Sequence, residues 1–240
     1  MKRYIFASLL IVFLGCFNVS AQSSRDYVKK SIKSWGSARN VAITRYGGDV
    51  ALYGKNGYSC SGVPVGLKDA LKSLHDKGEF IDDVQLTDNG RWLVLYGTNG
   101  FIWNNLPYSL ERKLREYNSN GEVVTSVTFN DAGDWIIIST EHVTASTTEI
   151  YGWIEDGMYQ FGQLWAAHIT DDGLALCYAE GYKFLGNVPY KLKDKLSSSK
   201  LNVFRIKFLS DGSYFFADKN GYYSYYMCSS LRLITIIPPR

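Results

Sequence analysis

Aspartates that recur at one place in the chain are the first candidates for chemistry: Asp88, Asp131, Asp172 and Asp211. Two carboxylates that face each other can act as general acid and general base, for example in glycoside hydrolysis. Each of these aspartates, however, comes one or two residues before a glycine. Aspartate is common at such places because its side chain accepts hydrogen bonds from the backbone of the turn. The pattern therefore predicts four turn residues with a structural role.

The repeat as a whole leaves three acids unexplained: Asp82, Asp83 and Glu141. Together with Arg205, Asp82 and Asp83 suit an alternative function, the hydrolysis of a polysaccharide. The chain contains no G-x-S-x-G, Walker, dinucleotide-binding or H-E-x-x-H motif. Its histidines are not at the spacing of metal ligands. We therefore expect no catalytic residues, no cofactor and no metal, and the hydrolase stays an alternative.

A repeat explains most of these residues as parts of a scaffold. A glycine that follows an alternating apolar run returns every 39–43 residues, at Gly48, Gly90, Gly133, Gly173 and Gly212. In every unit except the third, a second glycine comes eight to ten residues later and precedes an aromatic residue. Proline then opens P-x-x-L-x-x-x-L in three units, at Pro64, Pro107 and Pro189. A period of this length indicates a repeat architecture.

The second unit shows how one repeat is built. Residues 81–86 alternate, residues 92–96 are rich in β-formers, and residues 101–103 form a third apolar run. The Asn-Gly pairs between these runs favour hairpin turns. Pro107 sits where a first helical turn accepts proline, and Leu110 and Leu114 follow on one helix face. Each unit therefore predicts three strands and a short helix.

Five such units follow one another: 36–79, 80–122, 123–162, 163–202 and 203–240. The third unit lacks the Asn-Gly turn, and its segment around Tyr151 and Trp153 replaces the proline helix. The fifth ends in residues 231–237, for which we predict a strand. Residues 24–35 resemble the helical part of the other units. Partial units at both ends favour a ring that the two ends close.

One three-stranded sheet cannot bury both of its faces, whereas five sheets packed radially can. We therefore predict a mostly β single domain over residues 22–240, a five-bladed β-propeller-like ring of three-stranded blades with short rim helices. In size and blade number the chain resembles the five-bladed lectins typified by tachylectin, although their specific blade motifs are absent and no specific family is matched. An open stack of β/α repeats is the alternative.

Two groups of residues are candidates for a binding site. Gln85, Thr128, His168 and Lys207 occupy one position in four first strands and would converge in a funnel if these strands line the ring axis; otherwise they face solvent at a strand edge. His142, Tyr151 and Trp153 lie where the third unit departs from the repeat. Such a departure is typical of a site, and neutral drift at the rim is the alternative.

The first 21 residues predict a signal peptide. Lys2 and Arg3 precede an apolar run too short for a membrane span, and small residues before Gln22 place the cleavage between Ala21 and Gln22. Lipidation at Cys16 is a lesser alternative. We therefore expect an exported protein, periplasmic or extracellular, or anchored by lipid at Cys16, and no transmembrane segment after cleavage.

The remaining chain favours a binding protein. It keeps three cysteines, an odd number, so a disulfide framework is excluded, while a bridge between Cys60 and Cys228 stays open. With 26 basic and 23 acidic residues, two basic ones in the leader, its charge is balanced, and no basic patch suggests nucleic acid. We expect an exported, non-enzymatic module that binds a glycan or an envelope protein. A structural envelope component is a further alternative.

The signal-peptide interpretation predicts a defined new N-terminus. Expression of the full chain in a secreting host should release a protein that begins at Gln22, because signal peptidase reads the small residues before it. Mass spectrometry of the exported protein checks this, and Cys16→Ser should leave its mass unchanged. A lipid-sized mass increase that Cys16→Ser abolishes would show that the chain is anchored instead.

Overall fold

The computed structural model of the chain describes residues 25–228. The predicted signal peptide, its cleavage site at Ala21 and Gln22, the lipidation candidate Cys16 and the strand predicted for residues 231–237 lie outside the described residues.

Within this range, fifteen strands form five antiparallel sheets, and each sheet is a meander of three consecutive strands. The first strands follow the segments in which apolar and polar residues alternate, and glycine turns separate the strands of a sheet. The strands are β1 (Asn40–Ile43), β2 (Asp49–Tyr53) and β3 (Gly57–Ser61); β4 (Ile81–Leu86), β5 (Trp92–Tyr96) and β6 (Gly100–Asn104); β7 (Val124–Phe129), β8 (Trp135–Ser139) and β9 (Val143–Ala145); β10 (Leu164–Ile169), β11 (Gly173–Tyr178) and β12 (Tyr182–Gly186); β13 (Arg205–Phe208), β14 (Tyr214–Ala217) and β15 (Tyr223–Tyr226).

Helices connect the sheets. Helix α1 spans residues 25–35 and precedes the first sheet, as the sequence predicted. A helix then follows each of the first four sheets: α2 (Val65–Asp76), α3 (Tyr108–Ser119), α4 (Thr148–Phe161) and α5 (Tyr190–Ser197). The three repeated prolines lie at the N-cap of their helices, one residue earlier than predicted. No helix of residues 25–228 combines the length and the hydropathy of a membrane span.

The first strands line the ring axis and close the ring. Strand β1 contacts β4, β4 contacts β7, β7 contacts β10, β10 contacts β13, and β13 contacts β1 again. The prediction of a mostly β, five-bladed propeller-like ring is therefore confirmed. The alternative of an open stack is wrong, because the fifth sheet packs on the first.

A hydrophobic cluster fills the junction between consecutive sheets and includes one face of a helix. Between the first two sheets, Leu67 and Leu71 of α2 pack with Val50 of one sheet and with Ile81 and Trp92 of the next. The same arrangement recurs at the other junctions. Cys60 forms no disulfide. Burial at these junctions therefore stabilises the ring, at roughly 25 cal/mol per Å² of apolar surface.

The third unit keeps its helix, so the prediction that Tyr151, Gly152 and Trp153 replace a helix is wrong. Helix α4 has 14 residues and buries Ile150 and Ile154. Thr147 takes the place of the proline at the N-cap, and its Oγ1 accepts a hydrogen bond of 3.2 Å from the Ile150 N–H. A threonine cap satisfies a backbone donor that would otherwise lack a partner, and so begins a helix without proline.

Arg25 of α1 joins the first sheet to the fifth, and we call this contact the Arg25 latch. Its Nε donates to Asp49 Oδ2 at 3.2 Å, and its Nη1 donates to Asp211 Oδ2 and to Ser213 Oγ at 3.4 Å. Its Nη2 also donates to the carbonyl of Thr44. Burial raises the pKa of Asp49, although the Arg25 guanidinium opposes this shift.

Removal of the latch should open the junction between the first and fifth sheets. Arg25→Met leaves Asp49 buried without its cation, and loss of one partner of a buried ion pair costs about 3–5 kcal/mol. Urea denaturation of residues 22–240 measures this loss. Lys33→Ala, on the exposed side of α1, is the control and should stay within about 0.5 kcal/mol of wild type. Equal stability of both variants would show that the latch contributes nothing.

Candidate functional site

A buried carboxylate lies at the centre of the ring. Asp83, with 1% of its surface exposed, contacts side chains of four sheets, which we call the axial network. Gln85 Nε2 donates to both of its oxygens, at 3.2 and 3.3 Å, and Lys207 Nζ lies 3.9 Å from Oδ1. The other members of the network are Asn40 Nδ2, Ser126 Oγ and the Val127 N–H. These contacts satisfy the carboxylate and fill the axis at this level.

Burial also changes the lysine of the network. Lys207 has almost no exposed surface, and desolvation lowers its pKa to about 8, although the Asp83 carboxylate opposes the shift. Its ammonium therefore depends on Asp83 as a counter-ion. The sequence suggested Gln85 and Lys207 as binding groups. Both contact the Asp83 carboxylate inside the ring instead.

His168 and Thr128, the other two, form a separate pair. Thr128 Oγ1 lies 3.3 Å from His168 Nδ1, and His168 Nε2 lies 3.2 Å from the carbonyl oxygen of Phe208. Because a carbonyl only accepts, Nε2 carries the proton, and Nδ1 accepts from the Thr128 hydroxyl. That hydroxyl accepts in turn from the Ile169 N–H at 3.1 Å. Burial and the Lys207 ammonium hold the pKa of His168 well below its ordinary value of 6.5, so its imidazole is neutral.

A pocket of about 210 Å³ opens where the five first strands end, and we call it the axial pocket. Each sheet contributes one apolar residue to it: Ile43, Leu86, Phe129, Ile169 and Leu209. His168 and Thr87 also line it. The ring therefore places on its axis one cavity that all five sheets share.

The rim of the axial pocket is made of the turns that follow the first strands. Asp88 Oδ1 accepts from the Arg45 N–H at 2.7 Å, and its Oδ2 accepts from Arg45 Nε at 2.5 Å. Asp131 Oδ2 accepts from the Asn89 N–H at 3.2 Å, and Asp171 Oδ1 from the Asp131 N–H at 3.1 Å. Each of these aspartates therefore accepts a hydrogen bond from the turn of the preceding sheet, and we call such a contact a clasp.

These contacts correct two details of the sequence interpretation. Asp88 and Asp131 do not bond their own turns as predicted, whereas Asp211 does, through the Ser213 N–H at 2.8 Å. In the fourth sheet, Asp171 rather than Asp172 makes the contact between turns.

Two residues that line the axial pocket each carry a buried side-chain atom without a hydrogen-bond partner: Thr87 Oγ1 and Asp131 Oδ1. Thr87 is only 8% exposed, so its hydroxyl is withdrawn from bulk water. A buried polar atom without a partner costs about 1–3 kcal/mol, and such atoms are rare in folded proteins. The wall of the pocket therefore contains two residues with an unsatisfied polar atom.

The residues of the irregular third unit do not form one site. His142, with 62% of its side chain exposed, contacts Glu122 Oε1 at 2.9 Å and stacks on Tyr117 beside the second sheet. Although burial opposes it, hydrogen bonds from Ser139 and His142 hold the pKa of Glu122 below its ordinary value. Trp153 packs instead in the cluster between the third and fourth sheets, and Tyr151 is exposed on α4.

The acids outside the repeat are paired or far from the pocket. Asp82 Oδ1 accepts a hydrogen bond from Arg205 Nη2 at 3.0 Å, and Arg39 Nη1 lies 3.9 Å from the same oxygen. Burial raises the pKa of Asp82, although these cations oppose it. Neither Asp82 nor Asp83 borders the axial pocket. Among residues 25–228, no three His, Cys, Asp or Glu side chains are placed to hold a metal ion.

Comparison with known proteins adds no family. No protein-family model and no curated protein matches the chain. Among solved structures, the chain is similar to one described as YCF48 bound to D1 peptide, with 11% identity and a TM-score of 0.28. The match covers 80% of this chain and 51% of the other, so this chain spans about half of its length. At this TM-score the similarity carries no argument, and the fold rests on the five closed sheets described above.

The neutral state of His168 predicts a loss of stability in acid. The pKa of His168 is lower in the folded protein than in the unfolded chain. Below pH 6.5, His168 is therefore protonated in the unfolded chain but not in the folded protein. The free energy of unfolding should therefore fall by about 1.4 kcal/mol per pH unit below that value, until the folded imidazole titrates as well. His168→Gln should flatten this slope. Urea denaturation between about pH 4.5 and pH 7, a range that includes the ordinary pKa of histidine, measures it.

His75→Gln is the matched control, because it removes an exposed imidazole at the end of α2. It should keep the steep acid slope. An equally steep slope in His168→Gln would contradict the assignment of that slope to the axial histidine.

Proposed function

We propose that this protein is a non-catalytic binding module that works outside the cytoplasm and takes its ligand in the axial pocket. The supporting observation is the presence of two unpartnered buried atoms, Thr87 Oγ1 and Asp131 Oδ1, on the wall of a cavity shared by all five sheets. The polar groups deeper on the axis, by contrast, satisfy one another. Among residues 25–228, the two buried side-chain atoms without a partner belong to residues that line the axial pocket.

The ring suits binding because it holds these groups rigidly. Each wall of the pocket lies at the end of a strand that pairs in its own sheet and contacts the next first strand. A site that is formed before the ligand arrives loses little entropy on binding. The cost of the unpartnered atoms is then recovered when a ligand supplies their hydrogen bonds.

The size of the pocket limits what enters it. At about 210 Å³ it is smaller than the 300–1,000 Å³ typical of sites for drug-sized ligands. We therefore expect one protruding group of a larger ligand to enter, either from a glycan or from a protein of the envelope. The signal-peptide pattern of residues 1–21 supports a partner in that compartment.

Thr87→Val tests this function, because it removes the unpartnered hydroxyl and keeps the shape of the side chain. We expect the variant to be more stable than wild type by about 1 kcal/mol and to bind its ligand more weakly. Thr128→Val is the matched control: its hydroxyl accepts from the Ile169 N–H, so its loss should destabilise the ring. Urea denaturation of both variants measures these opposite effects.

Binding itself is measured on residues 22–240 by amide NMR, with methyl glycosides and with capped tripeptides that present each side chain in turn. At least one probe should shift the amide signals of Thr87, Asp131 and Ile169 in the wild type, and less in Thr87→Val. If no probe of either class shifts these signals, the axial pocket is not a binding site and the proposal fails.

A further inference from the structure

The chemistry of the axial pocket narrows its ligand. Four aspartates line it, Asp88, Asp131, Asp171 and Asp172, against one cation, Arg45, whose guanidinium is already bonded to Asp88. His168 on its wall donates its only ring N–H to the carbonyl of Phe208. The wall therefore carries an excess of negative charge, and in a half-enclosed site this charge acts through a lower dielectric than in water.

The backbone donors in the turns around the pocket are already occupied. The backbone N–H groups of Arg45, Asn89, Asp131 and Ala132 are all used by the clasping aspartates. The buried groups without a partner are Asp131 Oδ1, which only accepts when ionised, and the Thr87 hydroxyl, which can accept or donate. An anion would find no donor among these backbone groups, whereas a ligand that brings donors would satisfy both free atoms.

The apolar residues decide between kinds of cation. Leu86, Phe129 and Ile169 border the same cavity, and they suit methylene groups rather than the water shell of a metal ion. A guanidinium has five donors in a fixed fork and would leave several of them unpaired beside two free acceptors. An ammonium has three donors on one atom and suits a small pocket with few acceptors.

We infer that the axial pocket binds an alkylammonium group, with its methylene chain against the apolar residues and its charged nitrogen at Asp131 and Thr87. This inference rests on the proposed function. The shared chemistry has two possible sources, the side chain of a lysine on a protein partner and a free aliphatic amine. The experiment separates the two.

Amide NMR titration of residues 22–240 tests the inference with butylammonium, diaminobutane and N-acetyl-lysine amide. Butyrate, butanol and the lysine amide acetylated on its side chain are the matched probes without the charge. We expect the three amines to shift the signals of Thr87, Asp131 and Ile169, and the uncharged or anionic probes to bind at least about tenfold more weakly. Tighter binding of the lysine amide than of diaminobutane indicates a protein partner, and the reverse order indicates a free amine.

Asp131→Asn is the decisive variant, because its amide oxygen can keep the hydrogen bond from the Asn89 N–H while an NH₂ group replaces the free oxygen. It should weaken butylammonium binding about tenfold or more. Asp69→Asn makes the same chemical change on the exposed face of α2 and should leave binding unchanged. Equal weakening by both variants would show that only the overall charge attracts the amine.

The outcomes separate this inference from the function on which it rests. If a methyl glycoside or butanol shifts the pocket signals and the amines do not, the alkylammonium inference is overturned while the binding site stands. If the amines shift only signals remote from the pocket, the inference is likewise overturned. If neither the amines nor the glycosides and peptides shift the pocket signals, both proposals fail.

Discussion

Five twisted sheets that close a ring must bring their first strands together at the axis, and the rest of this structure depends on how that crowded space is filled. Here a single carboxylate, that of Asp83, accepts donors from the first, second and third sheets and faces the lysine of the fifth. A buried charge of this kind is tolerable only when its partners are complete. The axial network therefore fixes the positions of four sheets relative to one another.

The pocket follows from the same geometry. Below it the polar side chains of the axis contact one another, while at the strand ends the turns must bridge from one sheet to the next. Aspartates do so by accepting hydrogen bonds from N–H groups of the preceding turn. In Asp131 this contact uses Oδ2 and leaves Oδ1 without a hydrogen-bond partner. The contacts that hold the turns thus also create the acidic rim of the pocket.

Local patterns in the sequence predicted the parts of the fold that depend on local chemistry: the five units, their three strands and the helices that begin at proline. They failed where another residue does the same work, as Thr147 does at the start of α4. They also failed for the clasps, because the partner of Asp88 lies 43 residues away in another sheet. The shared position of Gln85, Thr128, His168 and Lys207 was visible, but their division into two groups of contacts depends on Asp83, which the sequence marked only as an acid outside the repeat. The free hydroxyl of Thr87 had one signal, a polar residue three places before the turn glycine, as in Asn130.

The Arg25 latch has a consequence for the order in which the chain acquires its structure. Arg25 is among the first described residues to leave the ribosome, and its partner Asp211 follows 186 residues later. The junction of greatest sequence separation therefore forms last, and contacts of high contact order are slow to form. Until then the apolar faces of the first sheet and α1 lack their cover, which exposes them to aggregation or to a holding chaperone. Consecutive sheets can pack earlier, whereas closure of the ring waits for the fifth sheet.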